Sequence, residues 1–126
     1  MPRVVIADDE EFVRYFLNSV MESISYNVVA EVEKGDELIT AMEKTQPDIL
    51  LLDINMPNLT GLEFLKEHAS KFPKTCIIIL TSAALTSLMD KAAMNGARCF
   101  LRKDTPLEEM ILAIEETWEN FRKETR

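Results

Sequence analysis

The chain has 126 residues, 47% of them hydrophobic: enough for one well-cored domain, too few for two, and too apolar for a disordered segment. Its formal net charge of −8 argues against a sequence-independent nucleic-acid surface, which needs a basic field to displace counter-ions from phosphates. That charge says nothing of a DNA-binding domain elsewhere in a longer chain.

Short apolar runs alternate with segments of 3.6-residue period along the whole chain. "RVVIAD" (3–8) reads as the first strand, and behind it Phe12, Val13, Phe16, Leu17, Val20, Met21 and Ile24 recur at helical spacing. "NVVAEV" (27–32) is the second strand, followed by a helix carrying Leu38, Ile39 and Met42 that ends before Pro47. "DILLLD" (48–53) is the third, and its consecutive leucines mark a strand buried on both faces. Thr60 and Glu63 stand at capping-box spacing ahead of Leu62, Leu65, Ala69 and Phe72. "CIIILT" (76–81) precedes a helix using Leu85, Leu88, Met89 and Ala92, with Gly96 as its stop. After "RCFLRK" (98–103), the run "TPLEE" offers Thr105 as cap, Pro106 in the first turn and Glu108 closing a second box. The stripe of that last helix is Leu107, Met110, Ile111, Ile114, Trp118 and Phe121.

Strict strand–helix alternation with solidly apolar strands implies an α/β fold, a parallel sheet covered on both faces. Right-handed crossovers leave few strand orders, and a five-stranded doubly wound sheet in the order 2-1-3-4-5 is expected. Cys76 and Cys99 lie far apart, each in an apolar run, and read as buried thiols in a reducing compartment rather than as a staple. The start "MPRVVIADDEE" is no signal peptide, and no run approaches the roughly 18 apolar residues of a spanning helix. A cytoplasmic protein with no membrane contact is expected.

Asp8, Asp53, Thr81 and Lys103 each end a strand, at intervals of 45, 28 and 22 residues. The later intervals fit one strand–helix unit and the first fits two, so all four side chains fall on the carboxyl rim of the sheet. That rim, beside the switch between strands 1 and 3, is where open α/β sheets bind ligands. Asp8, Asp9 and Asp53 would converge there. Two carboxylates 4 Å apart repel by about 4 kcal/mol at an effective dielectric near 20, so the group needs a counter-charge or a raised pKa. Hard oxygen donors with room for water suit Mg²⁺. With the Lys103 ammonium and the Thr81 hydroxyl added, the rim is organised to receive a phosphoryl group.

These residues and their neighbours resemble the receiver domain of two-component response regulators, of the CheY-like kind, over essentially the whole length. The matching stretches are "ADDEE" (7–11), "LLLDINMPNLTGLEFL" (50–65), "ILTS" (79–82), "GARCFLRK" (96–103) and the terminal amphipathic helix. The resemblance implies a flavodoxin-like (βα)5 fold and one receiver domain over residues 1–126. It implies that Asp53 accepts phosphate from a sensor histidine kinase. Mg²⁺ would be held by Asp8, Asp9, Asp53 and the backbone carbonyl of Asn55. Thr81 and Lys103 match the phosphate-binding positions, and Thr81 and Phe100 the pair that moves on activation. The surface of the fourth helix, fifth strand and last helix would then bind a downstream effector, an attached output domain or a second copy.

Phe100 stands where some relatives have Tyr, and Asp104 follows Lys103 where many have Pro. "KDTPLEEMILAI" looks like receivers that precede a helix-turn-helix domain, so a free-standing or an excised receiver is expected. Asn55 and Ala83, two residues beyond Asp53 and Thr81, flank the site. A small aspartyl-nucleophile phosphatase is the alternative, but its Asp-x-Asp pattern is here Asp53-Ile54-Asn55, and Asn cannot supply the proton. A flavin-binding reading fails because "DDEEF" would repel the phosphate. His68 reads as structural, Glu115, Glu116 and Glu119 as a solvated face, and Met89 and Met94 as core or a partner patch.

Overall fold

The computed structural model describes residues 1–82 and 86–125; Ala83 and Leu85 lie outside them. The chain runs β1 (Arg3–Ala7), α1 (Glu11–Ser23), β2 (Asn27–Val32), α2 (Gly35–Thr45), β3 (Ile49–Asp53), α3 (Gly61–His68) and a 3₁₀ turn (Ala69–Lys71). It continues with β4 (Cys76–Thr81), α4 (Thr86–Met94), β5 (Ala97–Arg102) and α5 (Leu107–Glu124). The strands form one parallel sheet in the order β2-β1-β3-β4-β5, as expected from the alternation.

Pleating sends alternate residues to two cores. Val5, Ala7, Leu50, Leu52, Ile77 and Ile79 pack with Leu38 and Met42 of α2, Phe64 and Leu65 of α3 and Ala92 of α4. Val4, Ile6, Ile49, Leu51, Cys76, Ile78 and Leu80 pack with Leu17, Val20 and Met21 of α1 and with Met110, Ile114 and Phe121 of α5. Every residue of β3 and β4 is buried, so these strands run through the middle of the molecule between the two cores. Each fully buried aliphatic side chain there contributes about 1.5–3 kcal/mol.

The Thr60 capping box forms: Thr60 Oγ1 accepts from the Glu63 N–H at 3.1 Å, and Glu63 Oε1 accepts from the Thr60 N–H at 3.0 Å. Gly96 takes φ +110° just beyond α4, the left-handed turn that stops the helix. The second box does not form. Pro106 occupies the N-cap position of α5, and Thr105, one residue too early, turns its hydroxyl back to donate to the Arg102 carbonyl at 2.6 Å. The stripe of α1 is also narrower than its apolar pattern. Phe12 is 79% and Phe16 36% exposed, because Leu17, Val20 and Met21 already fill the space over the sheet.

Cys76 is buried and Cys99 half-buried, both as free thiols, and burial pushes the Cys76 thiol up to about 12. His68 is half-buried, its ring 5.9 Å from that of Phe64 and its Nδ1 3.3 Å from Lys71 Nζ, a structural placement. Glu116 and Glu119 are exposed and Glu115 half-buried. Among the described residues no helix is long and apolar enough to cross a membrane.

Candidate functional site at the carboxyl rim

β1 ends at Ala7, and Asp8 continues its line far enough to donate its N–H to the Val32 carbonyl at 2.9 Å. The chain then bends into α1, because Asp8 Oδ1 accepts the Glu10 N–H at 2.9 Å. This bend places the carboxylates of Asp8, Asp9 and Glu10 on one spot, with one oxygen from each lying within 4.8 Å of the others. Asp8 is buried, whereas Asp9 and Glu10 are exposed. Asp53 ends β3 next door, only 3% exposed, and its Oδ1 accepts the Asn55 N–H at 3.1 Å.

Lys103 follows β5 and is tied to its neighbour strand by its own N–H, which donates to the Thr81 carbonyl at 2.7 Å. Its Nζ stands 2.8 Å from Asp8 Oδ2, 3.3 Å from Glu10 Oε1 and 3.4 Å from Asp53 Oδ2. Thr81 is fully buried at the end of β4, between Asp53 and Lys103 in strand order.

The electrostatics follow from this crowding. Burial pushes the Asp53 carboxyl up to about 6; the Asn55 N–H pulls it down, Asp8 raises it, Lys103 lowers it, and a hydrogen bond with Asp9 raises it again. Burial also works against the charge on Lys103, but Asp8, Asp53 and Glu10 outweigh it and hold the ammonium above its ordinary pKa. Asp8 Oδ2 is buried and accepts no hydrogen bond among the described residues, its compensation being the Lys103 ion pair. A buried carboxylate oxygen with an unused lone pair, beside two exposed carboxylates, fits a hard divalent cation that keeps part of its water shell.

The family model of the response regulator receiver domain matches residues 4–115, which spans every one of these rim residues. The chain belongs to this family.

This receiver domain is 36% identical over 112 residues to the transcriptional regulatory protein YhcZ of Bacillus subtilis, covering 86% of the chain and 51% of that protein. It is 30% identical to the chemotaxis protein CheY of Listeria monocytogenes, over 91% of the chain and 97% of CheY. The chain therefore spans about half the length of one relative and nearly all of the other. Among solved structures it superposes on the signal receiver domain of NarL from Mycobacterium tuberculosis with a TM-score of 0.86 at 27% identity, covering 94% and 96% of the two chains. A LuxR-family two-component response regulator from Aurantimonas gives 0.89 at 26% identity, covering 95% and 86%.

In this receiver domain the residues singled out by spacing, Asp8, Asp53, Thr81 and Lys103, do converge on one rim. The close carboxylate trio is Asp8, Asp9 and Glu10, while Asp53 stands beside it, reached through Lys103 and Asp9. Glu10 is the rim residue that spacing did not find. Its sequence signal is a third consecutive acid, which becomes meaningful only once the bend after β1 is known. Phe100 is half-buried against the core under α4 and lines a cleft of about 250 Å³ with Met89, Ala92 and Ala93 of α4 and with Ala97, Arg98 and Cys99 of β5. Met89 is 38% exposed beside it, and Met94, at 85%, is fully outside the core.

Proposed function

We propose that this receiver domain is a phosphorylation-activated signalling switch with Asp53 as the phosphoacceptor. The observation that carries this reading is the placement of one buried carboxylate at the end of β3, with the Lys103 ammonium at 3.4 Å and an acidic trio alongside. An Asp53 carboxylate oxygen attacks the phosphorus of a phosphohistidine on a sensor kinase, and the phosphorus–nitrogen bond breaks as the new phosphorus–oxygen bond forms. Lys103 supplies positive charge and Thr81 a hydroxyl toward the transferred oxygens. Asp8, Asp9, Asp53 and the Asn55 carbonyl would hold Mg²⁺, with Glu10 as a further acidic neighbour. When bound, the ion offsets negative charge between the carboxylate and the incoming phosphoryl group.

The domain's chemistry ends with gain and loss of its own phosphate. A phosphoryl group brings about −1.5 to −2 charges and three acceptor oxygens, enough to draw Thr81 toward it and let Phe100 turn. The surface of α4, β5 and α5 then presents itself to an effector, an attached output domain or a second copy.

Incubation with acetyl phosphate and Mg²⁺ tests this reading. Wild type is expected to gain about 80 Da, the mass of one phosphoryl group, in a form stable to acid and labile to alkali. Asp53→Asn is expected to gain none while keeping its fold. Labelling of Asp53→Asn to the wild-type extent overturns the assignment.

A further inference from the structure

Arg14 lies early in α1 with its side chain only 14% exposed, and none of the chemistry above uses it. Its main-chain N–H donates to the Glu10 carbonyl at 3.1 Å, and its Nη1 donates to the Asp8 carbonyl at 2.8 Å. The rest of the guanidinium faces the end of β2. Nε stands 3.7 Å from Glu31 Oε1 and Nη2 4.0 Å from Glu33 Oε2. Glu31 is itself anchored to α1, accepting a hydrogen bond from Asn18 Nδ2 at 2.9 Å.

We infer that Arg14 is a positioning residue for the Asp8–Glu10 turn, acting through the Asp8 backbone to keep the three carboxylates aimed at one cation. The inference rests on the divalent-cation site proposed above. Three adjacent acids repel, and left alone the bend that gathers them would open. The Asp8 N–H is pinned to Val32, its Oδ1 to the Glu10 N–H and its Oδ2 to Lys103 across the sheet, so the carbonyl is the handle by which α1 holds the Asp8 backbone. A planar guanidinium can grip that carbonyl while its other nitrogens face two carboxylates, and a lysine ammonium cannot span the three. The sign of the effect separates this role from simple charge. Arg14 is a cation near a cation site, so by repulsion alone its removal would tighten Mg²⁺ binding. As a positioning residue, its removal weakens binding.

The test uses the full chain with Arg14→Gln and Arg14→Lys, the second keeping the charge should the first fail to fold. Mg²⁺ is titrated while the Asp9 and Glu10 amides are followed by NMR, with Asp9→Ala as reference. The dissociation constant is expected to rise about tenfold or more in both variants, the range seen when an outer-shell partner of a metal ligand is lost. The Glu10 amide is expected to exchange faster in metal-free protein, and acetyl phosphate labelling to recover its wild-type rate at saturating Mg²⁺. Equal or tighter Mg²⁺ binding with unchanged Glu10 exchange overturns the role of Arg14. Equal affinity in wild type and Asp9→Ala instead overturns the cation site, and the inference with it.

Discussion

The Lys103 ammonium sits 2.8 Å from Asp8 Oδ2, closer than the 3.4 Å that separates it from Asp53 Oδ2. The cation from beyond the last strand is thus held first by the acid after the first strand. It reaches the candidate phosphoacceptor only second.

Removing that cation leaves two buried carboxylates facing each other. Lys103→Met is expected to destabilise the metal-free protein by about 2–3 kcal/mol at pH 7, below the value for a fully buried pair because Lys103 is partly exposed. Asp8→Asn in the same chain should recover much of the loss, since the repulsion between the two carboxylates is then gone. Urea denaturation of the double-mutant cycle checks this, and strictly additive effects would contradict the pairing.

Asp53 makes stability depend on pH. Its folded carboxyl is pushed up to about 6 from an ordinary value of 3.8, so between those values the native state holds a proton that the unfolded chain has lost. Stability is therefore fully present below the lower value, falls as pH rises through the window, and stays reduced above it. Asp53→Asn removes that penalty. It is expected to stabilise metal-free protein by about 1–3 kcal/mol at pH 7.5 and by little at pH 4. Equal changes at both pH values would rule out Asp53 as the source.

Gly61 touches the site from behind. A Cβ there would lie 2.7 Å from the Asp53 carbonyl oxygen and 2.8 Å from Ile54 Cα, both backbone atoms. The Gly61 N–H donates to the Ile54 carbonyl at 2.9 Å, which locks α3 against the end of β3. Gly61→Ala should force the two apart, cost about 1–3 kcal/mol and slow acetyl phosphate labelling of Asp53. Thr60→Ala, which only breaks the cap of the same helix, should cost about 1 kcal/mol and leave labelling near wild type. Similar labelling in both variants would deny Gly61 any role in placing Asp53.

Thr81→Ala is expected to accept phosphate but to transmit it poorly. Phosphorylated wild type should show NMR shifts at Phe100 and along residues 86–94, and these should shrink in the variant. A full wild-type shift pattern in phosphorylated Thr81→Ala would place the coupling elsewhere.

Sequence spacing alone located Asp8, Asp53, Thr81 and Lys103 on one rim, because strands of a parallel sheet end on the same side and apolar runs mark those ends. Asp8 and Lys103 fall one residue past their strands, which does not move them off the rim. What escaped was whatever depends on how the chain turns. Glu10 and Arg14 look like ordinary surface charges until the bend after Ala7 brings both to Asp8. Thr105 has the right residue type and spacing for a cap, but Pro106 takes the position. Phe12 and Phe16 fit the helical period, which reports apolar character and not how much of the helix the sheet has room to cover.

The distribution of the rim along the chain also orders its assembly in time. Synthesis runs from the amino end, so Asp8, Asp9, Glu10 and Asp53 leave the ribosome well before β5 and the lysine behind it. A nascent chain that has reached only β4 carries four acids of the rim without the ammonium that pairs with three of them, and its sheet still lacks an outer strand. Docking of β5 completes the sheet and delivers the counter-charge in one step. A chain stalled or truncated before residue 103 lacks the ion pairs that Lys103 makes with Asp8, Glu10 and Asp53 in the finished protein.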